Sequence, residues 1–378
     1  LLRRAMSGKM RSREAMEALE RQFIEAAAGR GVERTVAAEI WRQIRSFAGY
    51  AFCKAHSASY ARISFQSAFL KVHYPAEFMA AVLSNGGGFY GPSAYIEEAR
   101  RMGLSILPPD VNRSGIDYTG SSGSVRVGLS VVAGLSRGTM ERTVSERRRE
   151  GFYTSLADYC RRVEPGFSEV QTLVRCGAFD SFELTRPELL WRLELLYERG
   201  HLKAAAGSSG GLPLGGDSLE TVRRVVPRLP EYPRRERLRL ENEIFGFTVS
   251  EHPLSLGGQF PPLPGIVRAG ELRAHAGRTV RVLGRPIACK RIRTDSGAMM
   301  FLSLDDPAAA FEVVIFPRCY RKCGALALGP GPFLVSGRVN EEYGVVTVVA
   351  ERLERFDPQS AAQRRPDGQS RAAGLRQA

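Results

Sequence analysis

Residues 47–85 read FAGYAFCKAHSASYARISFQSAFLKVHYPAEFMAAVLSN, a basic turn followed by two helical segments. Gly49 and Lys54-Ala55-His56-Ser57 lie where the apolar periodicity fails, and Ser57 suits the N-cap of the run that follows. From Ser59 to His73 the apolar residues Tyr60, Ile63, Phe65, Phe69, Leu70 and Val72 nearly encircle a helix, with Ala and Ser between them. That distribution predicts a buried helix with close neighbours. Pro75 is tolerated in a first helical turn, Glu77 suits the positive end of the dipole, and Asn85-Gly86 can close the helix in the left-handed conformation. Lys54 and His56 then stand at the mouth of a helix pair, where free amides add to the field. Two readings stay open there: a phosphate contact, or a capping turn with a solvated lysine.

The chain carries 54 Lys+Arg against 40 Asp+Glu, a net charge of +14 that favours polyanionic partners, nucleic acid first. At 378 residues it can hold two or three domains with cores of their own. No apolar run approaches the roughly 20 residues that span a bilayer, and nothing resembles a signal peptide, so a cytoplasmic protein without a membrane partner is expected. Cys53, Cys160, Cys176, Cys289, Cys319 and Cys323 are scattered, as reduced thiols rather than a disulfide framework. Cys319 and Cys323 have no further ligands near them in sequence and are read as structural.

The opening stretch resembles the fingers region of the alpha subunit of bacterial DNA polymerase III, the C-family replicative polymerase. The family pattern there runs approximately F-A-G-Y-G-F-N-K-S-H-A-A-A-Y-A and then Y-L-K-A-H-Y-P-A-E-F-M-A-A. Lys54, His56, Tyr60, Lys71, His73, Tyr74, Pro75, Glu77 and Phe78 stand at matching positions, while Cys53 replaces the usual Asn and Ala51 a glycine. Leu2-Arg3-Arg4-Ala5-Met6, followed by Ser7-Gly8-Lys9, is similar to the family's L-R-R-A-M segment. The resemblance implies that Arg3, Arg4 and Lys9, with Lys54 and His56, meet the triphosphate of the incoming dNTP. Guanidinium and ammonium groups suit that task, because they neutralise charge and bind phosphate oxygens. In the family the catalytic palm, whose carboxylates hold Mg2+, precedes the fingers. No Asp-x-Asp occurs in these residues, Asp305-Asp306 before Pro307 reads as a turn rather than a metal site, and no catalytic residue is assigned here. The chain opens at Leu1 in mid-helix and reads as a fragment of such a polymerase.

Tyr95–Gly103 predicts a helix, followed by a short strand and a Pro-Pro turn, and YIEEARRMGLSILPPDVNRS resembles the same family's E-A-R-R-M-G-I and L-P-P-D-V-N. Val125–Leu129 predicts a strand. Gly134-Leu135-Ser136 then lies between helical stretches at Val131-Val132-Ala133 and from Thr139 onward, the layout of a helix-hairpin-helix. A small-residue hairpin of this kind lets amides approach DNA phosphates, without reading sequence. Ser136 stands where most such hairpins have a second glycine and is less free to adopt positive φ, which predicts weaker binding. Gly134, Leu135, Ser136 and Arg137 are the candidate DNA contacts, with Arg142, Arg147, Arg148 and Arg149 adding salt-sensitive attraction. A second half-motif, Cys176-Gly177-Ala178-Phe179-Asp180, is similar to the family's A-G-A-F-D and reads as structural, with Phe179 in the core.

Residues 204–217, AAAGSSGGLPLGGD, form a low-complexity linker. The family often carries its sliding-clamp peptide there, and Gly211-Leu212-Pro213-Leu214-Gly215 keeps only the leucines, a degenerate version of that partner site. Glu241-Asn242-Glu243-Ile244-Phe245-Gly246-Phe247 and Glu251-His252-Pro253-Leu254 resemble E-x-E-x-L-G-x-Y and G-H-P-L and are expected to position the last domain. From Thr279 to Phe356 five β-rich runs alternate with turns, the count of an OB-fold. Lys290, Arg291 and Arg293 end the first hairpin arm, and Phe301 and Phe311 occupy strands on which single-stranded bases could stack, or sit in the core.

The expected architecture is multidomain: all-α fingers and a tandem helix-hairpin-helix region, followed by an all-β OB-fold barrel. Its divisions are residues 1–103 for the fingers part, 104–200 for the hairpins, 201–240 for the linker, 241–278 for a connector, 279–356 for the barrel and 357–378 for a disordered tail. The parent would be a DNA-directed DNA polymerase, with primer-template DNA and dNTP as partners. The degenerate clamp peptide and the short tail leave room for an error-prone paralogue. A stand-alone hairpin and OB-fold nucleic-acid-binding protein without catalytic activity is the alternative.

Overall fold

The computed structural model describes residues 13–48, 54–86, 88–198, 227–255 and 265–356. The chain divides into two units, residues 1–74 and 75–378. In the first, helices α1 (Arg13–Ala28) and α2 (Arg34–Ala48) pack through Leu19 and Trp41, with the Phe23 ring centroid 5.4 Å from that of Trp41.

Helix α3 (Lys54–His73) departs from expectation in two ways. It begins at Lys54, so Ser57 lies inside the helix rather than capping it. Ala55 and Ala58 are strong helix formers and carry the helix back through the basic segment. Nor is it buried: Phe65 is 79% exposed and Val72 73%. An apolar residue on every side states that a helix needs neighbours all round, but it does not supply them.

The second unit opens with α4 (Pro75–Asn85) and α5 (Pro92–Arg101), where Pro75 and Pro92 occupy helix-start positions. A small sheet follows, of β1 (Ser105–Leu107), β2 (Thr119–Ser121) and β3 (Ser124–Arg126), in which β3 pairs in parallel with β1 and antiparallel with β2. Then come α6 (Arg137–Glu150), α7 (Leu156–Val163), α8 (Phe167–Arg175) and α9 (Arg186–Glu198). One hydrophobic core joins Met79, Ile96, Val125, Leu129, Tyr159, Leu173, Phe179 and Leu193, and it extends to Ile244 and Phe247. Phe179 is fully buried, where the sequence placed it. The connector helix α10 (Arg234–Phe245) ends at Gly246, which takes the left-handed conformation.

The β-rich part is a barrel. Strands β5 (Thr279–Thr294), β6 (Gly297–Asp305), β7 (Ala310–Ile315), β8 (Phe333–Glu342) and β9 (Val345–Arg355) follow the five sequence runs, and a two-residue strand β4 (Ile266–Val267) adds to the edge. The sheet order is β4-β5-β6-β7-β9-β8, and a β5–β8 pairing closes it. Strand β5 serves both neighbours, pairing with β8 over Thr279–Gly284 and with β6 over Arg285–Thr294, with a register shift at Pro286 and Ala288 where it bends. With β7 parallel to β9 and helix α11 (Pro317–Cys323) between β7 and β8, this is the OB arrangement. The barrel has its own core, which includes Val282, Met300, Leu302, Val313, Phe333, Val335 and Val348.

Candidate nucleic-acid interface

The first hairpin is built by a glycine and a serine with different tasks. Gly134 has φ +77, a conformation that L side chains rarely adopt, and a Cβ there would meet no atom within 4 Å. Its surface is open. Ser136 needs no positive φ: at φ −73 it is the N-cap of α6, and its hydroxyl accepts the Thr139 amide. The serine therefore caps the start of α6 instead of occupying a left-handed turn position. Leu135 is buried and pins the hairpin to the core, while Arg137 opens α6 with its side chain 84% exposed. The stretch before the hairpin is one turn of 3-10 helix, Leu129–Val131, not a full helix.

The arginines of α6 divide by role. Arg147 donates to the carbonyls of Val111 and Ser114 at 2.6 and 2.8 Å, and Arg142 to the carbonyl of Val163 at 2.7 Å. These two hold the fold rather than wait for a ligand. Arg137 pairs with Glu141 at 2.8 Å and Arg149 with Glu146 at 2.7 Å, both on the solvent side, and Arg148 is exposed.

The second hairpin has the same left-handed glycine, Gly177 at φ +87, yet it is plugged. Arg186, whose side chain is 4% exposed, lies against it and donates to Asp180 at 3.1 and 2.8 Å and to the Arg175 carbonyl at 3.1 Å. The amides of Gly177 and Ala178 are spent on Val174 and Leu173. Its role is structural, as its sequence suggested. Glu169 links the two hairpins: its carboxylate accepts the amides of Ser136 and Gly166, both at 2.8 Å, and the Thr139 hydroxyl at 2.9 Å. Burial pushes this carboxyl up, but hydrogen bonds from the Ser136 and Gly166 amides and the Ser136 and Thr139 hydroxyls outweigh it and hold it below the usual carboxylate range. Sequence reading passed over Glu169, although Gly166-x-x-Glu169 has the spacing of a capping box.

The connector motifs grip both neighbours. Buried Glu241 accepts the amides of Val249 and Ser250 at 2.7 and 2.9 Å, and Arg100 of α5 holds the carbonyls of Thr248 and Val249. His252 accepts the Leu254 amide at Nδ1, and its Nε2 lies 3.5 Å from the buried Asp305 of the barrel. Burial raises the Asp305 carboxyl, but His252 and the Arg285 guanidinium, 3.2 Å away, bring it below its ordinary value. Asp306 accepts the amides of Ala269, Ala308 and Ala309. With Asp305 committed to a histidine and an arginine and Asp306 to three amides, this pair does not fit a divalent metal. Among the described residues no group of three or more His, Cys, Asp or Glu side chains could hold one. Cys319 and Cys323 are buried with their sulfurs 3.5 Å apart, and burial first, then the neighbouring thiol, pushes Cys323 up to about 12.

On the barrel, Lys290, Arg291 and Arg293 are exposed along the β5 arm. Lys290 pairs across the strands with half-buried Phe301, so the two share a face. Phe311 points the other way, into the core opposite Leu304, which removes it as a stacking platform. Lys54 opens α3 and His56 lies in its first turn, exposed. Arg3, Arg4, Lys9, the leucine peptide 211–215 and the tail 357–378 lie outside the described residues. Among the described residues no helix is long and apolar enough to cross a membrane.

A family model described as a helix-hairpin-helix motif matches residues 103–189. DNA polymerase III subunit alpha of Neisseria meningitidis serogroup A is 32% identical over 91% of this chain and 30% of that protein. The error-prone DNA polymerase of Symbiobacterium thermophilum is 32% identical over 94% of this chain and 36% of its own length. That of Corynebacterium glutamicum is 33% identical, over 94% and 32% respectively. The chain thus spans about a third of the length of the relatives it matches.

Proposed function

Since this chain belongs with the C-terminal region of the bacterial DNA polymerase III alpha and error-prone DNA polymerases, we propose that it is the DNA- and nucleotide-holding part of a DNA-directed DNA polymerase. The parent adds deoxynucleotides to a primer 3′ end with Mg2+ held by residues outside this chain, in the cytoplasm. The observation that carries the reading is the open first hairpin, with Gly134 facing empty space and Arg137 in solvent at the positive end of α6. In a helix-hairpin-helix such a surface receives a backbone phosphate. On the exposed β5 arm Lys290 shares a face with Phe301, and that pair suits the single-stranded template, a phosphate on the cation and a base on the ring, while Arg291 and Arg293 on the other face of the arm add positive charge.

Arg3, Arg4, Lys9, Lys54 and His56 take the incoming dNTP in this reading, and the division of the chain into fingers part, hairpins, connector and barrel follows the same family order. A sliding clamp is a weak partner at best, because its peptide is reduced to leucines. The test is equilibrium binding of the 378-residue chain to primed and single-stranded DNA across a salt series. Affinity should fall steeply with salt, and aspartate at Gly134 and Arg137 should weaken binding to all sequences alike. A loss confined to particular sequences would sink the hairpin role, and primer extension by the chain alone would show that its chemistry does not lie elsewhere.

A further inference from the structure

The carboxylate of Glu169 stands inside the first hairpin. A capping box on α8 requires only the Gly166 amide, which Oε2 accepts at 2.8 Å. Oε1 reaches further, to the amide of Ser136 in the hairpin, 33 residues away in sequence, and Oε2 also takes the Thr139 hydroxyl at 2.9 Å. These donors are all neutral amides and hydroxyls, and among the described residues no lysine or arginine forms an ion pair with Glu169. Neutral amides and hydroxyls gathered at a helix N-terminus are the donor set that otherwise binds a phosphate oxygen. Arg142 completes the group from behind, donating to the Thr139 hydroxyl at 3.1 Å.

We propose that Glu169 is a built-in competitor of DNA phosphate at the first hairpin: it holds the Ser136 amide and the Thr139 hydroxyl in the DNA-free chain, and a backbone phosphate gains them only by displacing the carboxylate. The inference rests on the reading of that hairpin as a DNA contact. It has two consequences. A fixed negative charge beside the phosphate path lowers affinity for any duplex. And because one carboxylate caps Gly166 and Ser136 together, engagement of the first hairpin loosens the cap of α8 in the second.

The experiment measures binding of the full chain to a random-sequence duplex by fluorescence anisotropy over a salt series. Glu169→Gln keeps the size and an acceptor oxygen but removes the charge. It should bind about three- to tenfold tighter, with the slope of log K against log salt steeper by about 0.9, one further phosphate contact. Equal or weaker binding with an unchanged slope overturns the proposal, as does an equal gain from Glu164→Gln, an exposed neighbour that touches neither hairpin amide. A second readout needs no variant. In the wild-type chain the Gly166 amide resonance should move together with that of Ser136 on titration with DNA, and a Gly166 amide unmoved at saturation overturns the displacement. Arg137→Asp separates the two levels: unchanged binding by that variant brings down the hairpin reading itself, whereas weakened binding there without a gain from Glu169→Gln brings down only the role of Glu169.

Discussion

The two hairpins of the helical region share a backbone device and differ in everything around it. Gly134 and Gly177 both take φ near +80 between helical segments, at +77 and +87. At Gly134 an added Cβ would meet open space, whereas at Gly177 it would collide with the Arg186 guanidinium and the Asp180 carboxylate. The first hairpin offers its turn to solvent and the second spends its turn on the core. A hairpin motif therefore specifies chain direction, and its surroundings specify whether a ligand can reach it.

Alanine at each glycine should separate the two hairpins most clearly. Gly177→Ala combines a left-handed alanine with displacement of the buried Arg186 guanidinium from half-exposed Asp180 and should cost about 3 kcal/mol or more, read as a large fall in thermal midpoint. Next, Asp180→Ala leaves the Arg186 side chain, 4% exposed, without its carboxylate and should cost about 3 kcal/mol in urea denaturation. Gly134→Ala carries only the backbone cost, about 1 kcal/mol, and a destabilisation matching Gly177→Ala would refute the contrast. Smallest for stability is Arg137→Ala, within about 0.5 kcal/mol of wild type, although it should flatten the salt dependence of DNA binding by about 0.9 in slope.

Acid sharpens the same contrast through Glu169. A carboxyl held below its unfolded value stabilises the fold above that value and loses the contribution as pH falls through the folded one. For Glu169, ordinarily near 4.5, the contribution is complete above that pH and fades below it. Asp305, also held low, does the same at the barrel. Denaturation midpoints should therefore fall on acidification below about pH 4.5, and Glu169→Gln should show a smaller fall than wild type.

Much of this was legible in the chain itself. The five barrel strands follow their β-rich runs, Phe179 is in the core, and Gly134 and Gly177 mark the two turns. The failures share a cause. Helix α3 reads as buried because its apolar residues run all round it, yet burial belongs to neighbours, and Phe65 is 79% exposed. Phe311 and Phe301 look equivalent along the sequence, and strand register turned one inward opposite Leu304 and placed the other beside Lys290. Arg147 looks like a DNA contact on a basic helix until two backbone carbonyls from the preceding loop claim it.

The five barrel strands, the turn glycines and the basic character of the chain were readable from sequence alone, because those depend on local conformation, residue spacing and summed charge. Only the tertiary structure decided which hairpin stays open, which arginines remain available, and that Glu169 occupies the amide of a hairpin 33 residues away. Those outcomes are pairings between distant segments, and a donor or a cavity is filled or left free by whatever the fold brings against it.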